Sequence, residues 1–162
     1  MMDDMYRKVS RRKISMLLAG GLAATPSSAQ SKKPSGTIHQ ELDFKIPPER
    51  IYKALLDEEQ FAAFTHAPAE IRPQEGGTFR LFGGQVEGRI VELKPNQRIV
   101  EAWRPASWPP GDYSIVKFEF IPSGAGTHLV FDHFGFTDEK LENLTAGWQE
   151  HYWNPIRAYL ER

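Results

Sequence analysis

Cysteine is absent from the 162 residues. An excess of either charge sign is nearly absent as well, since 20 basic and 21 acidic residues give a net charge of −1. The first absence excludes disulfide bonds, thiolate metal sites and a cysteine nucleophile. The second leaves no compositional signal for nucleic acid or for an anionic membrane. What the chain does have is 40% hydrophobic and 12% aromatic content. That is enough for one packed domain.

The first thirty residues have the order of an export signal. Five basic side chains in residues 1–13 precede an apolar segment, 14–24, and small residues at Ser27 and Ala29 suit a signal peptidase. The apolar segment is shorter than the roughly 20 residues that span a bilayer, so no stable membrane span is expected after processing. Ser10-Arg11-Arg12-Lys13-Ile14 also looks like a twin-arginine signal. We therefore expect an export signal at 1–29, a linker at 30–36 and a periplasmic or secreted domain at 37–162. A disordered basic tail on a cytoplasmic protein is the alternative.

Periodicity in the domain predicts an α+β order. A strand at 37–45 is followed by two short helices. The first begins near Pro48, which suits the first turn of a helix, and ends at about residue 57, and the second covers 58–64. Six further strands are predicted at 69–72, 78–82, 86–93, 98–104, 113–121 and 127–134. Because short turns separate them, successive strands should be antiparallel neighbours.

One long helix is predicted at the end of the domain, over 138–160. Thr137 is the expected N-cap, and Pro155 should kink the helix or split it in two. Its apolar stripe consists of Leu141, Leu144, Trp148, Tyr152, Ile156 and Tyr159. This stripe should pack on the concave face of a curved sheet of six or seven strands. A cavity remains wherever the two do not meet.

Several motifs along the domain resemble those of one known family. They are Phe64-Thr65-His66-Ala67-Pro68-Ala69, Gly76-Gly77 with Phe79, Val86, Gly88, Leu93, Pro95, Ile99-Val100, Trp103-Arg104, Ser107-Trp108-Pro109, Gly111, Thr127, Leu129 and Gly147-Trp148. With these, the chain resembles the START-like (SRPBCC) superfamily, and within it the C-terminal domain of the activators of the heat-shock-protein-90 ATPase and their single-domain bacterial relatives. The resemblance covers about residues 38–161 and implies the helix-grip fold.

No residue pattern for metal or cofactor chemistry is present in the sequence. The five histidines (His39, His66, His128, His133 and His151) have no usual ligand spacing on one face, and we expect neither a metal nor a cofactor. A Ser-His-Asp order, a phosphate loop and a dinucleotide fingerprint are also missing, and the glycine pairs are better explained as hairpin turns.

Strand faces point to one polar pair inside the domain. Pairing the hairpins by their turns places Trp103 opposite Ser114 and Phe120 opposite Leu129, which aligns Glu101, Val116 and His133 in one inward row. Glu101 and His133 would then lie about 9–10 Å apart. They are candidates to orient a polar ligand or to act as base and acid. Glu101 should have a raised pKa if it is buried and unpaired. The alternatives are a solvated Glu101 at the cavity mouth and a register shifted by one residue.

The aromatic side chains predict either an ordinary core or the lining of a ligand cavity. The predicted lining is Ile99, Trp103, Val116, Phe118, Phe120, Phe131, Trp148 and Tyr152, with His66 and Trp108 at the rim. Three functions remain open: binding of a small apolar or amphipathic molecule, a protein-interaction module with a protein partner, and a cyclase- or hydrolase-like enzyme that uses Glu101 and His133. We expect the first, and no nucleic-acid partner.

Overall fold

A computed structural model of the chain describes residues 36–162. The strands are β1 (Gly36–Phe44), β2 (Glu70–Ile71), β3 (Thr78–Leu81), β4 (Val86–Lys94), β5 (Arg98–Pro105), β6 (Ser114–Ser123) and β7 (Gly126–Phe136). The helices are α1 (Pro48–Leu56), α2 (Glu58–Thr65), α3 (Leu141–Trp148) and α4 (Asn154–Leu160). The predicted export signal and residues 30–35 of the predicted linker lie outside the described residues. No helix in the described range has the length and hydropathy that a membrane crossing requires.

The strands form one antiparallel sheet in the order β1-β7-β6-β5-β4-β3-β2. Each strand from β2 to β6 pairs with the next along the chain, as the short turns predict, and β1 pairs with β7 at the edge of the sheet. Trp103 pairs with Ser114 and Phe120 with Leu129, so the predicted register is confirmed. The row of Glu101, Val116 and His133 follows from this register and faces the core.

The two predicted short helices are confirmed, and local chemistry explains where they begin. Pro48 occupies the start of α1, where its missing N–H would have no partner in any case. Asp57 ends α1 and caps α2, because its carboxylate accepts a hydrogen bond of 3.0 Å from the backbone N–H of Gln60. Ile51 and Phe61 carry the buried faces of the two helices into the core under the sheet.

The predicted C-terminal helix is divided in two by a π-helical turn, Gln149–Trp153, directly before Pro155. Proline lacks the N–H that would donate within an α-helix, and the wider turn accommodates this position. The backbone N–H of Asn154 donates instead to the carbonyl of Gln149, five residues earlier. The extra residue in the turn lets two consecutive side chains, Tyr152 and Trp153, both enter the core, with exposed fractions of 5% and 1%.

The start of this helical segment corrects the sequence analysis at two residues. Thr137 occupies the N-cap position of a 3₁₀ turn, Asp138–Lys140, but its side chain makes no capping hydrogen bond. Leu141 was predicted in the buried stripe and is 39% exposed. Both differences have one cause: the 3₁₀ turn delays the α-helix to Leu141, and the fully buried face of α3 begins only at Trp148. Trp153, which the stripe omitted, is among the largest fully buried side chains.

Gly88 marks a close approach of a side chain to the backbone inside the sheet. It pairs with Phe79 on β3 and with Trp103 on β5. A Cβ atom on Gly88 would lie 2.2 Å from the Phe79 ring and 2.2 Å from the carbonyl oxygen of Ala102. No larger residue fits without movement of the backbone, so this glycine is required by packing.

We therefore expect Gly88→Ala to lower the free energy of unfolding by about 3 kcal/mol, which is typical of overpacking against a rigid neighbour. The matched control is Gly147→Ala in α3, where the nearest atom to an added Cβ is 4.0 Å away. That variant should be about 0.5–1 kcal/mol more stable, because alanine is the better helix former. Urea denaturation measures both, and equal effects of the two variants would contradict the packing account.

Candidate functional site

A buried chain of hydrogen bonds links the C-terminal helix to the sheet. The indole Nε1 of Trp148 donates to Nδ1 of His133 over 2.9 Å, so the imidazole proton lies on Nε2. Nε2 donates to Oγ of Ser114 over 2.8 Å, and the Ser114 hydroxyl donates to the carbonyl of Trp103 over 2.9 Å. His133 and Ser114 have no exposed surface. Every polar atom along this path is therefore satisfied.

His133 was a candidate acid or base, and the structure gives it a positioning role. Burial lowers the pKa of its imidazole to about 3, which keeps the ring neutral at ordinary pH. Both nitrogens are already engaged. No nitrogen remains to exchange a proton with a substrate, and the ring instead holds α3 against β6 and β7.

Glu101 lies inside the domain with its side chain on the core face, as the register predicts. It is 8% exposed and has neither a hydrogen-bond partner nor an ion-pair partner among residues 36–162. Burial raises the pKa of its carboxyl group to about 8, so most of it is the neutral acid at pH 7. Val116 occupies the register position between Glu101 and His133, and no hydrogen bond joins the two candidates in the described part of the chain. They do not form an acid–base pair.

A pocket of about 510 Å³ opens between the sheet and the C-terminal helix. One wall comes from the start of β4 and the end of β5 with its following loop, and the other from α3 and the π-helical turn. Its lining residues are Ala67, Phe82, Gln85, Val86, Trp103, Pro105, Ala106, Ser107, Asn143, Leu144, Gly147, Trp148, His151 and Tyr152. None of them carries a permanent charge.

The structure divides the predicted cavity residues into two groups. Trp103, Trp148 and Tyr152 line the pocket. The other five lie in the packed core, each with an exposed fraction of 2% or less: Ile99, Val116, Phe118, Phe120 and Phe131. Large side chains from the helix fill the space above them. For example, the rings of Phe131 and Trp148 lie 4.4 Å apart, and those of Phe131 and Trp153 lie 5.0 Å apart.

The two predicted rim residues lie beside the pocket and do not line it. Trp108 packs edge-on against Trp103 with 6.2 Å between ring centres, and the ammonium group of Lys140 lies 3.7 Å from the Trp108 ring centre. His66 ends α2 in a left-handed conformation with φ of 56°. It lines a neighbouring surface depression that shares Phe82 and His151 with the pocket.

Two polar atoms on the pocket residues are buried without a partner. They are the indole Nε1 of Trp103 and the hydroxyl oxygen of Tyr152. Burial, and then the charge of Glu101, raise the pKa of the Tyr152 hydroxyl, whereas a weak hydrogen-bonding contact from the Trp103 indole lowers it. The two groups are therefore close neighbours, but no hydrogen bond of ordinary geometry joins them. An unmade buried hydrogen bond is costly, so these atoms are where the pocket has capacity for a polar ligand group.

Arg104 holds the loop beside the pocket, and sequence reasoning gave it no such role. Its side chain is buried, and Nη1 donates to the carbonyls of Trp108 (3.0 Å) and Pro109 (2.6 Å). Its Nε lies 2.9 Å from a carboxylate oxygen of Glu87. The proline content of the loop could have indicated this role in the sequence. Prolines supply carbonyl acceptors but no N–H donors, and an arginine guanidinium can donate to those carbonyls.

Other concave regions are less suited to a ligand. One of about 1060 Å³ is an open depression lined mostly by polar and charged side chains from α1, α2 and the loops nearby. Among the described residues, no group of three or more histidine, aspartate or glutamate side chains is arranged to hold a metal ion.

Comparison with known proteins finds several curated activators of the Hsp90 ATPase among the relatives of this chain. The chain is 33% identical over 137 residues to "Activator of 90 kDa heat shock protein ATPase homolog 1" of Homo sapiens, covering 82% of this chain and 40% of that protein. It is 24% identical over 162 residues to "Hsp90 co-chaperone AHA1" of Saccharomyces cerevisiae, covering 91% and 46%. The chain thus spans less than half the length of these relatives.

Solved structures agree on the fold. An HSP90 activator from Plasmodium falciparum superposes with a TM-score of 0.73 at 26% identity, covering 78% of this chain and 97% of that one. A family model described as "Activator of Hsp90 ATPase homolog 1-like protein" matches residues 45–161. This chain therefore belongs to the family of activator of Hsp90 ATPase homolog 1-like proteins and has its helix-grip fold.

Proposed function

We propose that the domain binds a small apolar or amphipathic molecule in the pocket between the end of β5 and the π-helical turn. The carrying observation is that the pocket combines an aromatic lining with two buried polar atoms that lack partners. Its volume of about 510 Å³ lies within the range of small-molecule sites. Such sites are mostly apolar and carry a few polar groups that orient the ligand.

The backbone around the pocket supports this proposal. The π-helical turn supplies His151 and Tyr152 to the lining, and π turns inside helices occur frequently at functional sites. On the opposite side Phe82 has a φ of 53°, an unfavourable conformation for a bulky residue. Its ring packs against Tyr152 at 5.4 Å and against His151 at 6.0 Å between ring centres. Two irregular backbone segments therefore meet at the pocket wall.

Filling the pocket tests the proposal directly. Gly147→Leu on the lined face of α3 should weaken binding of the neutral fluorescent probe N-phenylnaphthylamine at least about tenfold, because the new side chain occupies the probe's space. The control is Ala146→Leu, one residue earlier and exposed, which should leave probe affinity unchanged. Probe fluorescence measures both variants. Equal affinity in the two variants would place the probe elsewhere and remove the support for this site.

Glu101 gives a second prediction, on stability. Its folded-state pKa of about 8 lies above the ordinary value of 4.5, so between these values the unfolded chain loses a proton that the folded chain keeps. The free energy of unfolding is therefore highest below pH 4.5, where the carboxyl group is protonated in both states, and it falls as the pH rises toward 8. Glu101→Gln should therefore be more stable than the wild type, by an amount that grows across this window to roughly 3 kcal/mol near neutrality.

Urea denaturation at a series of pH values measures this difference. Glu142→Gln, at an exposed position of α3, controls for the loss of a negative charge and should show no such growth. A constant difference between wild type and Glu101→Gln from pH 4 to pH 9 would show that the carboxyl group is solvated in solution. If instead the difference grows, the carboxyl group is buried in solution and lowers the stability of the protein at neutral pH.

The names of the relatives favour a second candidate function, binding to a chaperone of the Hsp90 class. Two exposed aromatic side chains, Phe134 near the end of β7 and Tyr113 directly before β6, could contact such a partner, and we call them the aromatic patch. Tyr113 is 46% exposed and Phe134 is 41% exposed, and Phe134 pairs with Ile115 across the strands. Phe134 lies on the face of β7 opposite to that of the buried His133, so substitutions there leave the pocket lining intact and the two functions can be tested separately.

If this second function operates, the protein should raise ATP turnover by a purified Hsp90, and Tyr113→Ser with Phe134→Ser should abolish the increase. Val91→Ser removes an equally exposed apolar side chain outside the patch and should have no effect. Stimulation that is identical in all variants would exclude the patch, and no stimulation by the wild type would exclude this function for the partner tested.

A further inference from the structure

The N–H of Trp103 is the exception among the buried tryptophans. Trp148 donates its indole N–H to His133 over 2.9 Å, and Trp153 donates to the side-chain oxygen of Gln40 over 2.7 Å. Trp103 is also buried, at 5% exposure, and its N–H makes no hydrogen bond of ordinary geometry with any described residue, although the Tyr152 hydroxyl is near. The fold thus provides a dedicated partner for two indoles and leaves the one in the pocket wall without one.

Tyr152 supplies a second unpartnered donor beside the first. Its side chain is 5% exposed, and its hydroxyl has no partner within residues 36–162. An indole N–H only donates, whereas a phenol can donate or accept. The Trp103 indole acts on the Tyr152 hydroxyl without a hydrogen bond of ordinary geometry, so a ligand oxygen that contacts both groups can replace this contact and accept from both donors. A carbonyl oxygen has two lone pairs and can accept both.

The lining also restricts the charge of the ligand. None of the fourteen lining residues is Lys, Arg, Asp or Glu, so an ionised group would lose its hydration without gaining a counter-charge. The pocket therefore favours an uncharged molecule over a carboxylate or an ammonium.

We propose that the ligand of this pocket is an uncharged, largely aromatic or aliphatic molecule whose carbonyl oxygen accepts hydrogen bonds from the Trp103 indole and the Tyr152 hydroxyl. Ketones, esters and amides of suitable size share this chemistry. The inference rests on the function proposed above, because it assigns the ligand class of the same pocket.

A matched pair of probes tests the carbonyl separately from the pocket. Benzophenone has the carbonyl, and in its hydrocarbon isostere diphenylethylene a methylene group replaces the oxygen. Both should displace N-phenylnaphthylamine from the wild-type protein, and benzophenone should bind about tenfold more tightly because of the two additional hydrogen bonds. The carbonyl stretch of bound benzophenone should shift to lower frequency in the infrared spectrum.

Tyr152→Phe removes one donor and keeps the ring. It should reduce the preference for benzophenone severalfold, leave diphenylethylene affinity unchanged and reverse part of the infrared shift. Tyr159→Phe, on the same helical segment but outside the pocket lining, should change neither affinity nor spectrum. Because the Tyr152 hydroxyl has no partner, its removal should not unfold the protein.

The outcomes distinguish the carbonyl assignment from the proposed binding of a ligand in the pocket. Equal binding of the two probes to the wild type, with no infrared shift, would overturn the carbonyl assignment and leave pocket binding intact. Failure of both probes and of N-phenylnaphthylamine to bind would overturn the pocket itself. If Tyr152→Phe proves unfolded, the wild-type comparison of the two probes and the infrared shift still decide.

Discussion

The indole of Trp148, the imidazole of His133 and the hydroxyl of Ser114 form one line of hydrogen bonds that ends at the Trp103 carbonyl and ties the C-terminal helix to β5, β6 and β7. Each bond contributes only about 0.5–1.5 kcal/mol, but the loss of any member leaves a buried polar group unsatisfied at a cost of about 1–3 kcal/mol. The helix therefore has one position on the sheet in which all of these groups are paired. The neutral state of His133, which burial maintains, is part of that requirement.

Once the helix is fixed at Trp148, the π-helical turn determines where packing is complete and where it is not. The turn directs both Tyr152 and Trp153 inward. Trp153 closes the core against Phe131, while Tyr152 faces the end of β5, where Trp103 is held through its backbone carbonyl. The pocket lies between these last two side chains and the loop after β5, which Arg104 holds in place. The fully hydrogen-bonded chain from Trp148 to the Trp103 carbonyl thus lies next to two polar atoms without hydrogen-bond partners, the Trp103 Nε1 and the Tyr152 hydroxyl oxygen.

Local periodicity and turn chemistry were sufficient for the order of elements, the pairing of the consecutive strands β2 to β7 and the row that contains Glu101 and His133, but not for the position of β1 beside β7. They could not give the size of the cavity, because this depends on how far side chains from the helix enter the sheet. The 3.6-residue repeat omitted Trp153, since a π turn changes the phase of the helix by one residue. His133 appeared to be a free polar group because periodicity within one strand does not show its partners, Trp148 and Ser114, which come from other elements.

The central claim is that the indole N–H of Trp103 donates a hydrogen bond to a ligand in the pocket. The chain has four tryptophans, so a nitrogen-labelled sample gives four indole N–H signals in a two-dimensional NMR spectrum. Titration with benzophenone should move the Trp103 signal downfield as a hydrogen bond forms, while the signal of Trp153, whose N–H already donates to Gln40, stays in place. A Trp103 signal that does not move while benzophenone binds would contradict the account.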